Sequence, residues 1–178
     1  MDAKNKAFIN SDLCLKDVLD KTSEELLSIP SKKIILNGER GTGRSLVLED
    51  CEDLGIKNSV IFTDFIPLEY LPLFYNACEF LIYPSFYEGF GMTAVEMMGK
   101  CVPTIVAKTT AMPEVTQGLC RYYEPAENAD ALAAVLAEEL EHPMTEMQLA
   151  EIAATMKETY DYVNIAKEYW SYIQSTFK

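Results

Sequence analysis

The sequence predicts an α/β fold, a Rossmann-like parallel sheet flanked by helices. Short apolar segments rich in β-branched and aromatic residues alternate with longer segments of helical periodicity. Strands and helices that alternate in this way form βαβ units, in which the strands run parallel. The chain has 178 residues, enough for one domain with a sizeable core and too few for two full α/β domains. We therefore predict a single domain over residues 1–178, with an atypical N-terminal segment at residues 1–30 and a C-terminal helix at residues 160–178.

Strands are predicted where a short apolar run is bounded by residues that favour turns, and helices where apolar residues recur every three or four positions. Prolines fall in the connections, where they disfavour helix in the residue before them. The predicted strands are Lys33–Asn37, Ser59–Thr63, Phe80–Tyr83, Thr104–Ala107 and Arg121–Tyr123. The predicted helices are Ser11–Leu26, Arg44–Leu54, Glu69–Ala77, Met92–Lys100, Ala129–Leu140, Thr145–Glu158 and Val163–Ser175.

Helix Met92–Lys100 has two different faces. Helical geometry places Met92 and Met98 on one side and Glu96 on the other. We therefore expect the first side to pack on the sheet. Glu96 should face either solvent or a cleft at the carboxyl ends of the strands, where open α/β sheets bind their ligands.

Composition excludes several classes of function. A formal net charge of −13 argues against nucleic acid or an anionic membrane surface as a partner. The five cysteines form no Cys-x-x-Cys pair, which favours a reduced, cytoplasmic protein without a zinc site or disulfide framework. No apolar run is long enough for a membrane span, so direct membrane insertion is not expected. The single histidine, His142, gives no support to histidine-dependent chemistry.

The segment Tyr83–Thr93 carries the clearest functional signal. A predicted strand runs into a short turn, a glycine-flanked Phe90 and then a helix. Such a junction offers free N–H groups and the positive end of a helix dipole, which suit a diphosphate. Glu88 precedes the helix, and Glu96 lies roughly 7–8 Å further along its axis. This spacing suits two carboxylates that bind hydroxyls on opposite sides of a phosphate group, as in a nucleotide-sugar site.

A second glycine-rich motif gives an alternative. Residues Gly38–Ser45 match the spacing of a P-loop, with Arg44 in place of its lysine. Arginine is bulkier and planar, so it does not replace the lysine equivalently. An NTP-binding protein that uses this loop, with Asp64 as a rough candidate for the second acid, is therefore the alternative function.

Several segments in order resemble retaining glycosyltransferases of family 4, whose fold is the two-domain GT-B arrangement. The resemblance covers about residues 33–175, and its core is a glutamate pair separated by seven residues, Glu88 and Glu96. The other matching segments are Ile34–Gly38, Leu54–Ile56, Val60–Phe62, Leu71–Ala77, Val102–Val106, Met112–Val115, Tyr123–Pro125 and Tyr160–Tyr162 with the helix that follows.

The resemblance implies a role for each matching position. Glu88 would be catalytic and would bind hydroxyls of the donor sugar, and Glu96 would bind the ribose. Contacts to sugar and phosphate are implied for Gly89, Phe90, Gly91, Met92 and Thr93. Phe65 or Ile66 would lie near the base, and Gly38, Arg40 and Arg44 near the diphosphate. Such enzymes transfer a hexose from a nucleoside-diphosphate sugar with retention, and generally use no metal ion and no other cofactor.

The chain also departs from this family. The family's first strand, with the Arg and Lys that follow it, has no clear counterpart before Ser11, and Lys4-Asn5 is only a partial match. The acceptor-binding N-terminal domain is missing, so the chain resembles the C-terminal, donor-binding half alone. We expect it to be inactive without that partner domain. A non-catalytic regulatory or interaction module that kept the fold remains a further alternative.

The aromatic C-terminal helix has two interpretations. Aromatic residues recur through it, among them Tyr169 and Trp170. They are predicted either to fill the core or to form an apolar face left bare by the absent domain.

Overall fold

The computed structural model describes residues 6–10, 33–37, 49, 51–63 and 71–177. Its centre is a parallel sheet with the strand order β3-β2-β1-β4-β5-β6. The strands are β1 (Lys6–Asn10), β2 (Lys33–Asn37), β3 (Val60–Thr63), β4 (Phe80–Tyr83), β5 (Thr104–Ala107) and β6 (Arg121–Tyr123). The predicted α/β fold with a Rossmann-like parallel sheet is therefore confirmed, and the five predicted strands are present with at most one residue of difference.

Strand β1 corrects the expectation that no strand precedes Ser11. It pairs along its whole length with β2, from Lys6 opposite Lys33 to Asn10 opposite Asn37. On its other side it pairs with β4, from Ala7 opposite Phe80. The segment has only three apolar residues, which is a weak signal in sequence. It becomes a strand because partners lie on both of its sides.

Helices follow the predicted order in the described part of the chain. They are α1 (Leu71–Ala77), α2 (Met92–Met98), α3 (Met112–Val115), α4 (Ala129–Glu141), α5 (Glu146–Thr159) and α6 (Tyr162–Thr176). Residues 51–53 are helical and belong to the predicted helix Arg44–Leu54. The predicted helix Ser11–Leu26 lies outside the described residues. The four-residue helix α3 was not predicted, because it is too short to give a periodic signal.

The starts of the two longest described helices, α5 and α6, are set by their caps. The Thr145 hydroxyl accepts a hydrogen bond from the Gln148 backbone, and the Gln148 side chain reciprocates in a capping box. Thr145 therefore precedes α5 instead of opening it. The Asp161 side chain caps α6 in the same way, by accepting from the Asn164 backbone.

Two apolar layers cover the two faces of the sheet, because successive residues of a strand point in opposite directions. On one face, Phe80 and Ile82 of β4 pack in a cluster with Leu132 and Leu136 of α4. On the other face, Leu81 and Tyr83 pack in a cluster with residues of α1, α2 and α5. The second layer lies beneath the segment that carries the candidate site.

Helix α2 packs on the sheet through a stripe that includes Met98, as predicted, but not Met92. Its buried residues are Ala94, Met97 and Met98, whereas Met92 is 65% exposed. Met92 stands at the first position of the helix, before the stripe that contacts the sheet begins. The expected direction of Glu96 is confirmed, because its side chain is exposed and does not point into the sheet.

Candidate functional site

The candidate site lies on the carboxyl side of β4. The order of strands reverses between β1 and β4, since the chain builds outward from β1 in one direction and from β4 in the other. Ligands of open α/β sheets bind in the crevice at such a switch point, beside the carboxyl ends of the strands. The loop of residues 84–91, which we call the signature loop, leaves β4 at this end and leads into α2.

Two threonines after β5 hold the signature loop. The Thr109 hydroxyl donates to the Ser85 carbonyl at 3.1 Å. The Thr110 hydroxyl donates to the Glu88 carbonyl at 2.9 Å and accepts from the Glu88 N–H at 3.0 Å. The backbone of Glu88 is therefore fixed from both sides by one side chain. Sequence reasoning missed these threonines, although their position directly after the neighbouring parallel strand was an available signal.

Gly91 allows the signature loop to turn into α2. It is the N-cap of the helix, and its φ of 83° lies in the left-handed region. A Cβ placed on it would lie 2.6 Å from the sulfur of Met112, which is fully buried. A side chain here would thus be strained by both the backbone and the packing. No side-chain oxygen caps the start of α2. The Ala94 N–H donates to the Gly91 carbonyl at 3.0 Å, so the N–H groups without a capping oxygen are those of Met92 and Thr93.

Glu88 is held by the residue that ends β4. The Tyr83 hydroxyl donates to Oε1 of Glu88 at 2.6 Å. The Tyr83 side chain is only 6% exposed and packs in the second core layer, whereas Glu88 is half-buried. The carboxylate of Glu88 therefore rests on the core while remaining accessible from outside.

Glu96 is held from α1. The Tyr75 hydroxyl donates to its Oε2 at 2.9 Å. Burial raises the pKa of Tyr75, and the hydrogen bond to Glu96 raises that pKa further. The hydroxyl therefore stays protonated and acts as a donor throughout the physiological pH range. Sequence reasoning placed Tyr75 only in a matching segment and gave it no such role.

A pocket of about 560 Å³ opens beside this contact. Its walls come from α1, α2 and the connection between α5 and α6, and both Tyr75 and Glu96 line it. Its lining is mainly apolar, with Leu71, Pro72 and Val95 among the lining residues. A carboxylate at the edge of an apolar hollow can bind hydroxyl groups while the hollow receives a flatter, less polar group.

Phe90 lies at the surface of the signature loop. Its ring is 40% exposed and packs edge to face on Tyr160, with ring centroids 5.3 Å apart. The Tyr160 hydroxyl donates to the Val115 carbonyl at 2.6 Å, which ties α5 to α3. Phe86 and Tyr87 are 43% and 80% exposed, because the loop directs both rings outward after the buried Ser85.

The signature loop and the start of α2 bring together seven predicted site residues. They are Glu88, Gly89, Phe90, Gly91, Met92, Thr93 and Glu96. The predicted base-proximal residues Phe65 and Ile66, and the predicted diphosphate-binding residues Gly38, Arg40 and Arg44, lie outside the described residues. Within the described ranges, no group of three or more His, Cys, Asp and Glu side chains is placed to hold a metal ion.

Helix α6 begins at the pocket, which its first residue Tyr162 lines, and it is exposed on all sides. None of its side chains is buried. Tyr169 is 70% exposed and Trp170 is 61% exposed. The interpretation of these aromatic residues as core is therefore wrong.

In the part of the chain that the structure describes, no helix is both long and apolar enough to cross a membrane.

The fold is that of the C-terminal domain of GT-B glycosyltransferases. The structure superposes on the C-terminal domain of the glycosyl transferase group 1 family protein LpcC from Francisella tularensis with a TM-score of 0.69 and 20% sequence identity, covering 88% of this chain and 85% of that one. It also superposes on Anabaena Alr3699/HepE, a complex with UDP and glucose, with a TM-score of 0.73 and 20% identity. That match covers 97% of this chain and 49% of HepE.

The sequence matches the family of glycosyl transferases group 1 over residues 16–156, and the chain belongs to that family. Over 108 residues it is 32% identical to the O-antigen chain mannosyltransferase B of Escherichia coli, covering 61% of this chain and 28% of that protein. The chain thus spans between 25% and 32% of the length of the first curated relatives it matches.

Proposed function

We propose that this chain is a single nucleotide-sugar-binding domain of a retaining glycosyltransferase of family 4. Its donor would be a nucleoside-diphosphate hexose. The observation that carries the proposal is the placement of two carboxylates, Glu88 and Glu96, on one loop and helix at the carboxyl end of β4. Membership of glycosyl transferases group 1 supports it. The UDP in the HepE complex supports a nucleoside diphosphate as ligand.

In this proposal the two carboxylates bind different ends of the donor. Glu88 accepts hydrogen bonds from hydroxyls of the transferred sugar and acts in catalysis, whereas Glu96 accepts them from the ribose. The diphosphate between them lies against the uncapped start of α2, where N–H groups and the helix dipole favour negative charge. The backbone of Gly89–Met92 and the Thr93 side chain complete the contacts to sugar and phosphate.

The proposed chemistry depends on stabilising the leaving group. When the bond between the sugar carbon and the diphosphate oxygen breaks, that oxygen keeps the electron pair and negative charge. The sugar carbon bonds to an acceptor hydroxyl oxygen, whose proton goes to the leaving diphosphate. Preorganised N–H groups at the start of α2 stabilise the negative charge of the diphosphate without moving. Gly38, Arg40 and Arg44 would offset more of it, so we propose that the transfer needs no metal ion and no other cofactor. Phe65 or Ile66 would contact the base.

The proposed partner is an acceptor-binding N-terminal domain. The chain covers 49% of HepE, so the structural relative has room for a second domain of similar size. The exposed aromatic side chains of α6 give this chain an apolar surface that such a domain could cover. We propose that transfer requires this second domain, and that the protein acts in the cytoplasm.

Calorimetric titration with UDP, GDP, ADP and ATP, with and without magnesium, tests the proposal. We expect one nucleoside diphosphate to bind without magnesium. Glu96→Ala should weaken that binding at least about tenfold through loss of charge-assisted hydrogen bonds. Glu88→Ala should weaken binding of the corresponding nucleotide sugar. Glu151→Ala, which removes an exposed carboxylate from α5, is the matched control and should change neither affinity.

Three results would contradict the proposal. Unchanged affinity in both Glu88→Ala and Glu96→Ala would reject the site. Magnesium-dependent ATP binding that is lost in Arg44→Ala would favour the P-loop alternative. A folded chain that binds none of the four nucleotides would favour a non-catalytic module.

A further inference from the structure

The two signature carboxylates share a feature that their sequence motif does not contain. Each accepts a hydrogen bond from a tyrosine hydroxyl, Tyr83 for Glu88 and Tyr75 for Glu96. Both tyrosines are almost completely buried, at 6% and 4% exposure, and both belong to the core layer between the sheet and α2. Their rings are held by packing, so each hydroxyl presents a donor at a fixed position.

Each of these hydrogen bonds leaves the carboxylate free to bind a ligand. Tyr75 contacts Oε2 of Glu96, and Tyr83 contacts Oε1 of Glu88. A carboxylate has about four acceptor positions on its two oxygens, and one donor occupies only one of them. The second oxygen of each glutamate therefore remains available. Two vicinal hydroxyls of a ligand could bind to the two oxygens of one carboxylate.

Fixing these carboxylates in advance lowers the conformational entropy that is lost when a ligand binds. A glutamate side chain on the surface of a helix has three rotatable bonds and pays conformational entropy when a ligand orders it. A donor held by the core restricts the carboxylate before the ligand arrives, so less entropy is lost on binding. The arrangement around Glu96 is the clearer case, since its carboxylate is exposed at the edge of a pocket while the donor beneath it is buried.

We propose that Tyr75 and Tyr83 are positioning residues, which preset Glu96 for the ribose hydroxyls and Glu88 for the hydroxyls of the transferred sugar. The inference rests on the proposed function, because it assigns each tyrosine to one end of a nucleotide sugar. It also gives the two tyrosines separable effects. Tyr75 contributes to the affinity for the nucleoside part of the ligand, whereas Tyr83 contributes to the additional affinity that the sugar provides.

The variants that test the proposal are Tyr75→Phe and Tyr83→Phe, which keep the ring and remove only the hydroxyl. The matched control is Tyr123→Phe, the same change in a tyrosine on the other face of the sheet. Tyr123 is 2% exposed, and its hydroxyl has no hydrogen-bond partner among the described residues. Thermal unfolding of all three variants separates an effect on binding from a loss of folded protein.

The probes are the nucleoside diphosphate that the unmodified chain binds, its 2′,3′-dideoxy analogue, and its glucose or mannose conjugate. Tyr75→Phe should weaken binding of the ribonucleotide about tenfold, which corresponds to about 1.4 kcal/mol. It should leave binding of the dideoxy analogue unchanged, because that analogue has no hydroxyls for Glu96. Tyr83→Phe should reduce the ratio between the affinities for the sugar conjugate and the free diphosphate by about the same factor.

A merely structural role would give a different pattern. If Tyr75→Phe weakened the ribonucleotide and the dideoxy analogue equally, the proposal would be overturned. It would also be overturned if Glu96→Ala abolished binding while Tyr75→Phe bound the ribonucleotide like the unmodified chain, although the proposed function would then stand. Failure of the folded, unmodified chain to bind UDP, GDP and ADP would reject the proposed function and this inference with it.

If Tyr75→Phe is unfolded at the titration temperature, the double variant Tyr75→Phe/Glu96→Ala keeps the proposal testable. Its binding is compared with that of Tyr75→Phe and of Glu96→Ala, all measured at a lower temperature where each protein is folded. If Tyr75 and Glu96 are coupled, the losses of binding free energy in the two single variants should not sum to the loss in the double variant. Additive losses would overturn the proposal.

Discussion

The signature loop and helix α6 both lie at the surface of this molecule, and they are held in opposite ways. Thr109 and Thr110 bind the loop through its backbone, and Tyr83 binds it through Glu88. Helix α6 has a capped start, yet it buries none of its side chains. The comparison shows that surface position alone does not distinguish a preorganised segment from an unpartnered one. The difference lies in how many contacts reach back to the core.

Among the substitutions that compare the signature loop with α6, the largest loss of stability is expected at Gly91. Gly91→Ala should lower the free energy of unfolding by about 2–4 kcal/mol, because it adds left-handed strain and a clash with the buried Met112. Urea denaturation measures the change. Gly89→Ala in the same loop is the control, since a Cβ there meets no atom within 4 Å. Its cost should stay below about 1 kcal/mol, and equal costs at both glycines would contradict the argument.

A smaller effect is expected at Thr110. Thr110→Val keeps the shape of the side chain and removes both hydrogen bonds to the Glu88 backbone. We expect a loss of about 1 kcal/mol in the free energy of unfolding, because each such bond contributes modestly at an exposed site. Thr110→Ser retains the hydroxyl and should restore most of the loss. If the serine and valine variants unfolded at the same urea concentration, the threonine would not be holding the loop through its hydroxyl.

The smallest effect on folding is expected in α6. Trp170→Ser should change the free energy of unfolding by less than about 0.5 kcal/mol, since the indole is 61% exposed. Met156→Ala in the preceding helix provides the contrast. Met156 is 1% exposed, so its truncation should cost about 2–5 kcal/mol. A large loss in Trp170→Ser would show that α6 packs on this chain in solution.

Much of the fold could be predicted because the signals are local. Strand Phe80–Tyr83 was predicted with its observed bounds, and the glutamate pair marked the loop and helix that follow it. Strand β1 was missed because its partners β2 and β4 stabilise it, and both are distant in sequence. Helix α3 was missed because a single turn carries no periodic pattern.

The residues of the site could be predicted more easily than the contacts among them. Glu88 and Glu96 lie in one short motif, so their position needed no knowledge of tertiary structure. Most of the supporting contacts join residues that are distant in sequence, such as Tyr75 and Glu96 at 21 positions and Glu88 and Thr110 at 22 positions. The contact of Tyr83 with Glu88 spans only 5 positions. The distant pairs follow from which strands are neighbours and from how helices pack beside them. The sequence contains the tyrosines and threonines, but their partners become visible only in the folded sheet.

The central position of β1 also has a consequence for biosynthesis. Its pairing with β4 joins Ala7 to Phe80, two residues that are 73 positions apart (80 minus 7). Contacts this distant in sequence form slowly, because a long loop must close before they contribute. A polypeptide that emerges from the ribosome with its N-terminus first therefore leaves one side of β1 unpaired until β4 has been made. During that interval the nascent chain presents an open strand edge, the kind of surface on which chaperones compete with aggregation.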